Sequence, residues 1–386
     1  MISEPLRQAG PSSTVGRMSS SASKRLLVHG VLIAAVLGAV AIRTPVPPTD
    51  DRDIYQKVGR DVLIRHCDDI HCFRILVAVV LETLPGSSPI KWKAYAVLAN
   101  TAAAVAVGHF SLLLGLSTAG AAAASWTSAL GSGSLYSLYD SYTSDPLMYL
   151  VGPLVAIAGW QGRVARAGVI SAIGVFAKEF AGAPLWIFAA MAALERRWSL
   201  ARRLFAVAAG VTILWGCLQL SLRLFLDYQD GGTASAKLSQ GAYLALWLRS
   251  VGAVNAVKYV FFTFGALYLL LPAGLAQSRT NWQLALASLP AVAAFVYVQQ
   301  PERALWNFHF IVIPIAVSVL QALPVWAMAS FVAAFGISNL RFGAQLPMRL
   351  ASQGALAISA AIALAAVAVW WSKRAEFKRS LCGARV

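Results

Sequence analysis

The chain has 386 residues, of which 58% are hydrophobic and 12% charged, with a mean hydropathy of +0.66. Soluble domains carry about a quarter charged residues, so this composition excludes an ordinary water-dissolved domain and makes lipid the solvent for most of the chain. The net charge of +16 would suggest nucleic acid in a soluble protein. Here the basic residues sit beside apolar runs, which points to anionic headgroups and positive-inside orientation and excludes a nucleic-acid partner.

Apolar runs of about 15 to 22 residues recur between short charged clusters, whereas the alternating strands of about ten residues that build a membrane barrel are absent. The expected fold is all-α: a polytopic bundle of about twelve transmembrane helices with an amphipathic helix in an outer loop. Residues 1–23, rich in Ser and basic, read as a disordered cytoplasmic tail, and 373–386 as a second, basic one. Between them, 24–372 form the membrane domain, including an outer segment over 43–93.

Lys24 and Arg25 precede the run Leu26–Ile42, and no small-residue cleavage site follows it, so this run is expected to stay as the first span. Further spans are expected at 94–114, 116–130, 146–160, 164–178, 181–195, 204–224, 259–276, 282–298, 306–322, 325–338 and 351–371. The stretch from Arg166 to Arg196 is basic at both ends, so the chain crosses an even number of times there. One helix of that length would reach about 45 Å against a core of about 30 Å, so two short helices meeting at 178–184 are expected. In this topology every acidic residue except Glu4, Glu195 and Glu376 lies outside. The outer face, the periplasmic side of a bacterial inner membrane, is where chemistry is expected.

In the outer segment, Pro47-Pro48-Thr49 precedes Asp50-Asp51-Arg52-Asp53-Ile54-Tyr55, a proline stop and N-cap that open an amphipathic surface helix. Asp50, Asp51 and Asp53 either complement its dipole or supply a general base. The cluster His66-Cys67-Asp68-Asp69-Ile70-His71-Cys72 reads as a Cys67–Cys72 disulfide or as a zinc site of unusual spacing. Asp145-Pro146 reads as an N-cap and first helical residue. Lys178-Glu179 places an ammonium where lipid forbids an unpaired one, with Glu179 or a lipid phosphate as its partner. Arg303 is either an interfacial anchor or a bidentate phosphate clamp. His309 reads as a packing residue, and 238–248 as an amphipathic helix over the site.

Three of these segments together resemble the GT-C membrane glycosyltransferases, the superfamily of protein O-mannosyltransferases and aminoarabinose transferases. Asp51 with Tyr55 and Arg60-Asp61 is similar to the family's first outer loop. Gly174 to Pro184 is similar to its lysine-bearing turn, and Arg303 to Pro314 to its late arginine region. The resemblance implies that Asp51 is the catalytic aspartate. The second acidic position is Arg52 here, so Asp50 or Asp53 would take that role. It also implies that Lys178 faces the donor phosphate and that Asp145 lies near the acceptor. The implied reaction moves a sugar, with inversion, from a polyprenyl-phosphate donor to a glycan, lipid or protein acceptor on the periplasmic face. No cofactor is required, though a divalent metal near Asp51 and Asp145 is allowed. No Gly-rich phosphate loop is present for a nucleotide sugar. A flippase or transporter of lipid-linked sugars is the rival class, but it would place charges at mid-membrane and commonly shows an internal repeat. An oligosaccharide ligase is the other alternative.

Overall fold

Lipid offers no partner to a backbone N–H or C=O, so a chain this apolar satisfies those groups within helices. The computed structural model describes residues 20–46, 50–61, 66–67, 69–228, 243–298, 301–340 and 349–383. Among the described residues every regular element is helical. In chain order these are α1 (Ser20–Arg43), α2 (Asp50–Arg60), α3 (Ile75–Thr83), α4 (Ser88–Leu113), α5 (Thr118–Ala129), α6 (Ser132–Tyr139), α7 (Asp145–Trp160), α8 (Val164–Gly174) and α9 (Ala183–Leu194). There follow α10 (Trp198–Leu226), α11 (Tyr243–Val251), α12 (Ala253–Phe264), α13 (Leu267–Gln277), α14 (Arg279–Val298), α15 (Pro301–Trp306), α16 (His309–Leu320), α17 (Val325–Asn339) and α18 (Arg349–Gly383).

Among the described residues, four stretches are long and apolar enough to cross a bilayer alone: Ser21–Arg43, Ser88–Leu113, Trp198–Leu226 and Ser352–Arg374. The span expected over 259–276 is instead a bent pair, α12 and α13, meeting at 61°. Gly265, at φ +49°, supplies a backbone turn that other residues adopt with strain. Shorter apolar helices of 10–17 residues include α7, α8, α16 and α17. The stretch from Arg166 to Arg196 divides into α8 and α9, with a 3₁₀ turn at Glu179–Gly182 between them. The expected tails 1–23 and 373–386 and the helix over 238–248 fall partly outside the described residues.

The core forms where α4 packs against α1, α5 and α7, and α13 against α16. Phe110 anchors it, with Trp160 and Phe188 edge-on at 6.2 and 6.0 Å. Outside, Val31, Ile213, Phe225 and Leu364 stand exposed, as residues facing lipid tails do.

The segment after α1 makes a small core of its own around Tyr55, Val58, Phe73, Val77 and Trp92. It contains α3, a nine-residue apolar helix too short to span. Three ties fix it to the bundle. Lys93 Nζ donates to the carbonyls of Ala41, at 2.6 Å, and Thr44, closing the end of α1 on the start of α4. Leu76 N donates to Phe176 O at 3.1 Å, and His66 N to Leu226 O at 3.1 Å. The end of α1, the start of α7, the break after α8 and the end of α10 are thus gathered at one end of the bundle. Arg163 and Arg166 lie at the opposite end of α7.

Candidate active site

The amphipathic pattern of α2 decides which of its carboxylates faces the protein. Tyr55 and Val58 are 1% and 0% exposed, Asp51 is half-buried on the same stripe, and Asp53 is exposed on the outward side. The register of Asp53 on the helix turns it to solvent, away from the stripe that carries Asp51. The side chain of Asp50 lies outside the described residues. The Tyr55 ring sits 5.3 Å from both His71 and Trp92, and its hydroxyl is 3.4 Å from Ser144 Oγ, one residue before Asp145. This brings the helix carrying Asp51 against the start of α7.

A disulfide joins Cys67 to Cys72. The zinc reading loses its two thiolates, and among the described residues no three His, Cys, Asp or Glu side chains are grouped to hold a metal. The bridge brackets Asp69 and His71. Asp69 accepts from the His71 backbone N–H at 2.7 Å and lies 2.5 Å from its Nδ1, and His71 Nε2 is 3.5 Å from Asp51 Oδ2. The hydrogen bond from His71 is the main reason that the Asp69 carboxyl titrates below its ordinary value. His71 thus stands between two carboxylates and fixes the one on α2.

Asp145 is not the cap it was expected to be. Ser144 holds the N-cap position with no side-chain cap hydrogen bond, and Asp145 is the first helical residue. Its carboxylate, 3% exposed, is taken up by two cations, Lys178 Nζ on one oxygen and Arg303 Nη2 at 3.2 Å on the other. Glu179 was read as the alternative partner of Lys178, but it pairs with Arg74 at 3.0 Å. The 3₁₀ turn explains the separation: Lys178 caps it in extended backbone, so consecutive side chains diverge.

Arg303 is positioned by α15, whose last residue, Trp306, is clamped. Its indole fills the space over Gly131 and Gly133, where a Cβ would overlap the ring. It stacks on Phe264 at 5.2 Å and on His309 at 5.4 Å. His309 is 1% exposed and its Nδ1 donates to Trp306 O at 3.0 Å, a packing role.

Arg74, Tyr136 and Asp140 were given no role by the sequence reading, and Arg52 was noted only as an interruption of the family pattern. Arg74, 8% exposed, opens α3; a lone arginine ahead of a nine-residue apolar run was the available signal. Arg52 lies over the Tyr142 ring at 5.7 Å. Tyr136 lies beneath Arg303 at 5.7 Å and its hydroxyl is 3.4 Å from Asp140 Oδ2. Asp140, five residues before Asp145, is 7% exposed and sits within the field of both Asp51 and Arg303.

Burial first, then the Asp51 carboxylate, pushes Asp140 from an ordinary 3.8 up to about 6, with Arg303 and the Tyr136 hydroxyl opposing. A raised carboxyl pKa means that the fold binds this proton more tightly than the unfolded chain does. Stability therefore falls as pH rises from about 4 to about 6, and the penalty persists above that. Asp140→Asn is expected to raise stability by about 2 kcal/mol at pH 7.5, after allowing for the lost hydrogen bond, with the gain shrinking towards pH 4. Thermal unfolding in detergent at the two pH values checks it. A variant less stable than the wild type at pH 7.5 would contradict the shift.

The end of the bundle thus holds Asp51, Asp140, Asp145 and Glu179 interleaved with Arg52, Arg74, Lys178 and Arg303. Around Asp145, two cations share one carboxylate, a surplus of one positive charge. The buried Nε atoms of Arg52 and Arg74 have no hydrogen-bond partner. Such an arrangement has the charges to receive an anion at the cations and a proton at a carboxylate.

No known family and no curated protein matches the chain. Among solved structures, ArnT from Cupriavidus metallidurans bound to undecaprenyl phosphate is similar, with a TM-score of 0.54 and 14% identity over 91% of this chain and 77% of that one. The chain therefore has an ArnT-like, all-helical membrane fold.

Proposed function

We propose that the protein is a glycosyltransferase that takes a sugar from a polyprenyl-phosphate donor and passes it to a hydroxyl acceptor at the periplasmic face of a bacterial inner membrane. The observation that carries this reading is the buried Lys178–Asp145–Arg303 cluster on an ArnT-like fold, with Asp140 set in the fields of both Asp51 and Arg303. Undecaprenyl phosphate, the ligand in the ArnT structure, has the chemistry those cations suit: a phosphate at the membrane boundary on an isoprenoid tail.

The acceptor O–H attacks the anomeric carbon from the side opposite the phosphate. Its proton passes to Asp51, the new C–O bond forms as the bond to the phosphate oxygen breaks, and polyprenyl phosphate leaves. A single displacement inverts that carbon. Lys178 and Arg303 offset the charge growing on the leaving phosphate, at a boundary where water screens it little. Asp140 supplies the second carboxylate beside Asp51, the place where Arg52 interrupts the family pattern. Glycan, lipid or protein hydroxyls all fit this chemistry as acceptors.

The test is incubation of purified protein with polyprenyl-phosphate sugars and candidate acceptors, measuring release of polyprenyl phosphate. Wild type is expected to release it and Lys178→Ala to lose most of that release. Transfer from a nucleotide sugar in its place, or undiminished release by Lys178→Ala, Asp51→Asn and Asp53→Asn alike, would sink the reading.

A further inference from the structure

Between α1, α4 and α7, at the end of the bundle away from Asp145, lies a groove of about 1090 Å³. Its trough is apolar, lined by Val31, Ala34, Ala102, Leu113, Leu154 and Ile157, and its mouth carries His109, Gln161, Arg163 and Arg166. Val31 is 71% exposed, so the trough opens sideways to the lipid. Along α7 it runs from Leu150 to Gln161, about 16 Å of helix rise and so about one leaflet of a 30 Å core.

The mouth is built for an anion. No acidic side chain lines the groove, and Arg163 and Arg166 are exposed, with no ion-pair partner among the described residues. Gln161 Oε1 is buried without a hydrogen-bond partner. The orphaned acceptor at this mouth calls for a donor, and a headgroup hydroxyl supplies one without adding positive charge beside the two arginines, as an ammonium would. We propose that this groove binds an anionic phospholipid with a hydroxylated headgroup from the leaflet opposite the candidate active site. One acyl chain lies in the trough, the phosphate sits on Arg163 and Arg166, and the headgroup hydroxyl donates to Gln161. The proposal is independent of the transferase reading.

Native mass spectrometry of the detergent-solubilised full chain, titrated with phosphatidylglycerol, phosphatidylethanolamine or undecaprenyl phosphate, tests it. Wild type is expected to retain phosphatidylglycerol about thirtyfold more tightly than phosphatidylethanolamine, the equivalent of about 2 kcal/mol from the two basic residues. The Arg163→Gln/Arg166→Gln variant is expected to bring that ratio to about one. Ala102→Phe, which fills the trough from an exposed position without altering charge, is expected to weaken both lipids. Equal retention of the two by wild type overturns the proposal, as does an unchanged ratio in the double variant. So does displacement of phosphatidylglycerol by undecaprenyl phosphate, which would make the groove a seat for the polyprenyl tail. Melting temperatures of both variants, expected to lie near that of wild type, show that lost binding is not lost folding.

Discussion

Asp145→Ala is expected to destabilise the protein by about 3–5 kcal/mol, because removing one member of a buried ionic group leaves the others uncompensated. Lys178 is 4% exposed and Arg303 points into the same site. Without Asp145 the ammonium either gives up its proton or stays charged in a medium that solvates it poorly. The arrangement also gives the control. Asp145→Ala with Lys178→Met removes both the carboxylate and the deeper cation, so part of the loss is expected to return. Melting temperatures of wild type, both single variants and the double variant close the cycle. If the double variant is as unstable as the sum of the two singles, the pair is not coupled and the assignment fails. Activity is a second readout here, because only the two variants that carry Lys178→Met lack a cation of the proposed phosphate seat.

Asp51→Asn is expected to lower turnover by about 10²–10⁴-fold, the contribution of a positioned general base, while leaving the melting temperature nearly unchanged. The asymmetry with Asp145 follows from environment. Asp51 sits on a surface helix, its side chain 27% exposed, with His71 at 3.5 Å, and an amide of the same shape can occupy that position. The measurement is initial-rate release of polyprenyl phosphate at saturating donor. A base acts on the chemical step, so the loss belongs in kcat, with little change in KM for the donor. A loss confined to the donor KM would make Asp51 a binding group and move the base to Asp140.

The membrane fold was readable because hydrocarbon imposes a length and a composition on each span, and charged residues mark where each one ends. Lys178, Asp145 and Arg303 were readable for the same reason: charge inside or at the edge of an apolar run is costly unless it has work to do. Their mutual pairing was not readable. Residues 145, 178 and 303 converge only through helix packing, and Lys178 followed by Glu179 suggested a local pair that the 3₁₀ turn separates. Asp140 and Arg74 were hidden differently. Each looks like an ordinary loop or helix-start charge, and only burial against a distant element, Asp51 for one and Glu179 for the other, distinguishes it. The break at Gly265 and the short helix α3 were missed because apolar composition records that a residue faces lipid or core and carries little about where an axis bends.

The bridge between Cys67 and Cys72 brackets the two residues that steady Asp51. Cysteines oxidise in the periplasm and stay reduced in the cytosol. A copy of this loop stranded on the wrong side of the membrane, or not yet exported, therefore keeps its helices but lacks the covalent ring that seats His71 against α2. In the periplasmic placement proposed above, oxidation would tie completion of the candidate site to arrival of the loop in that compartment.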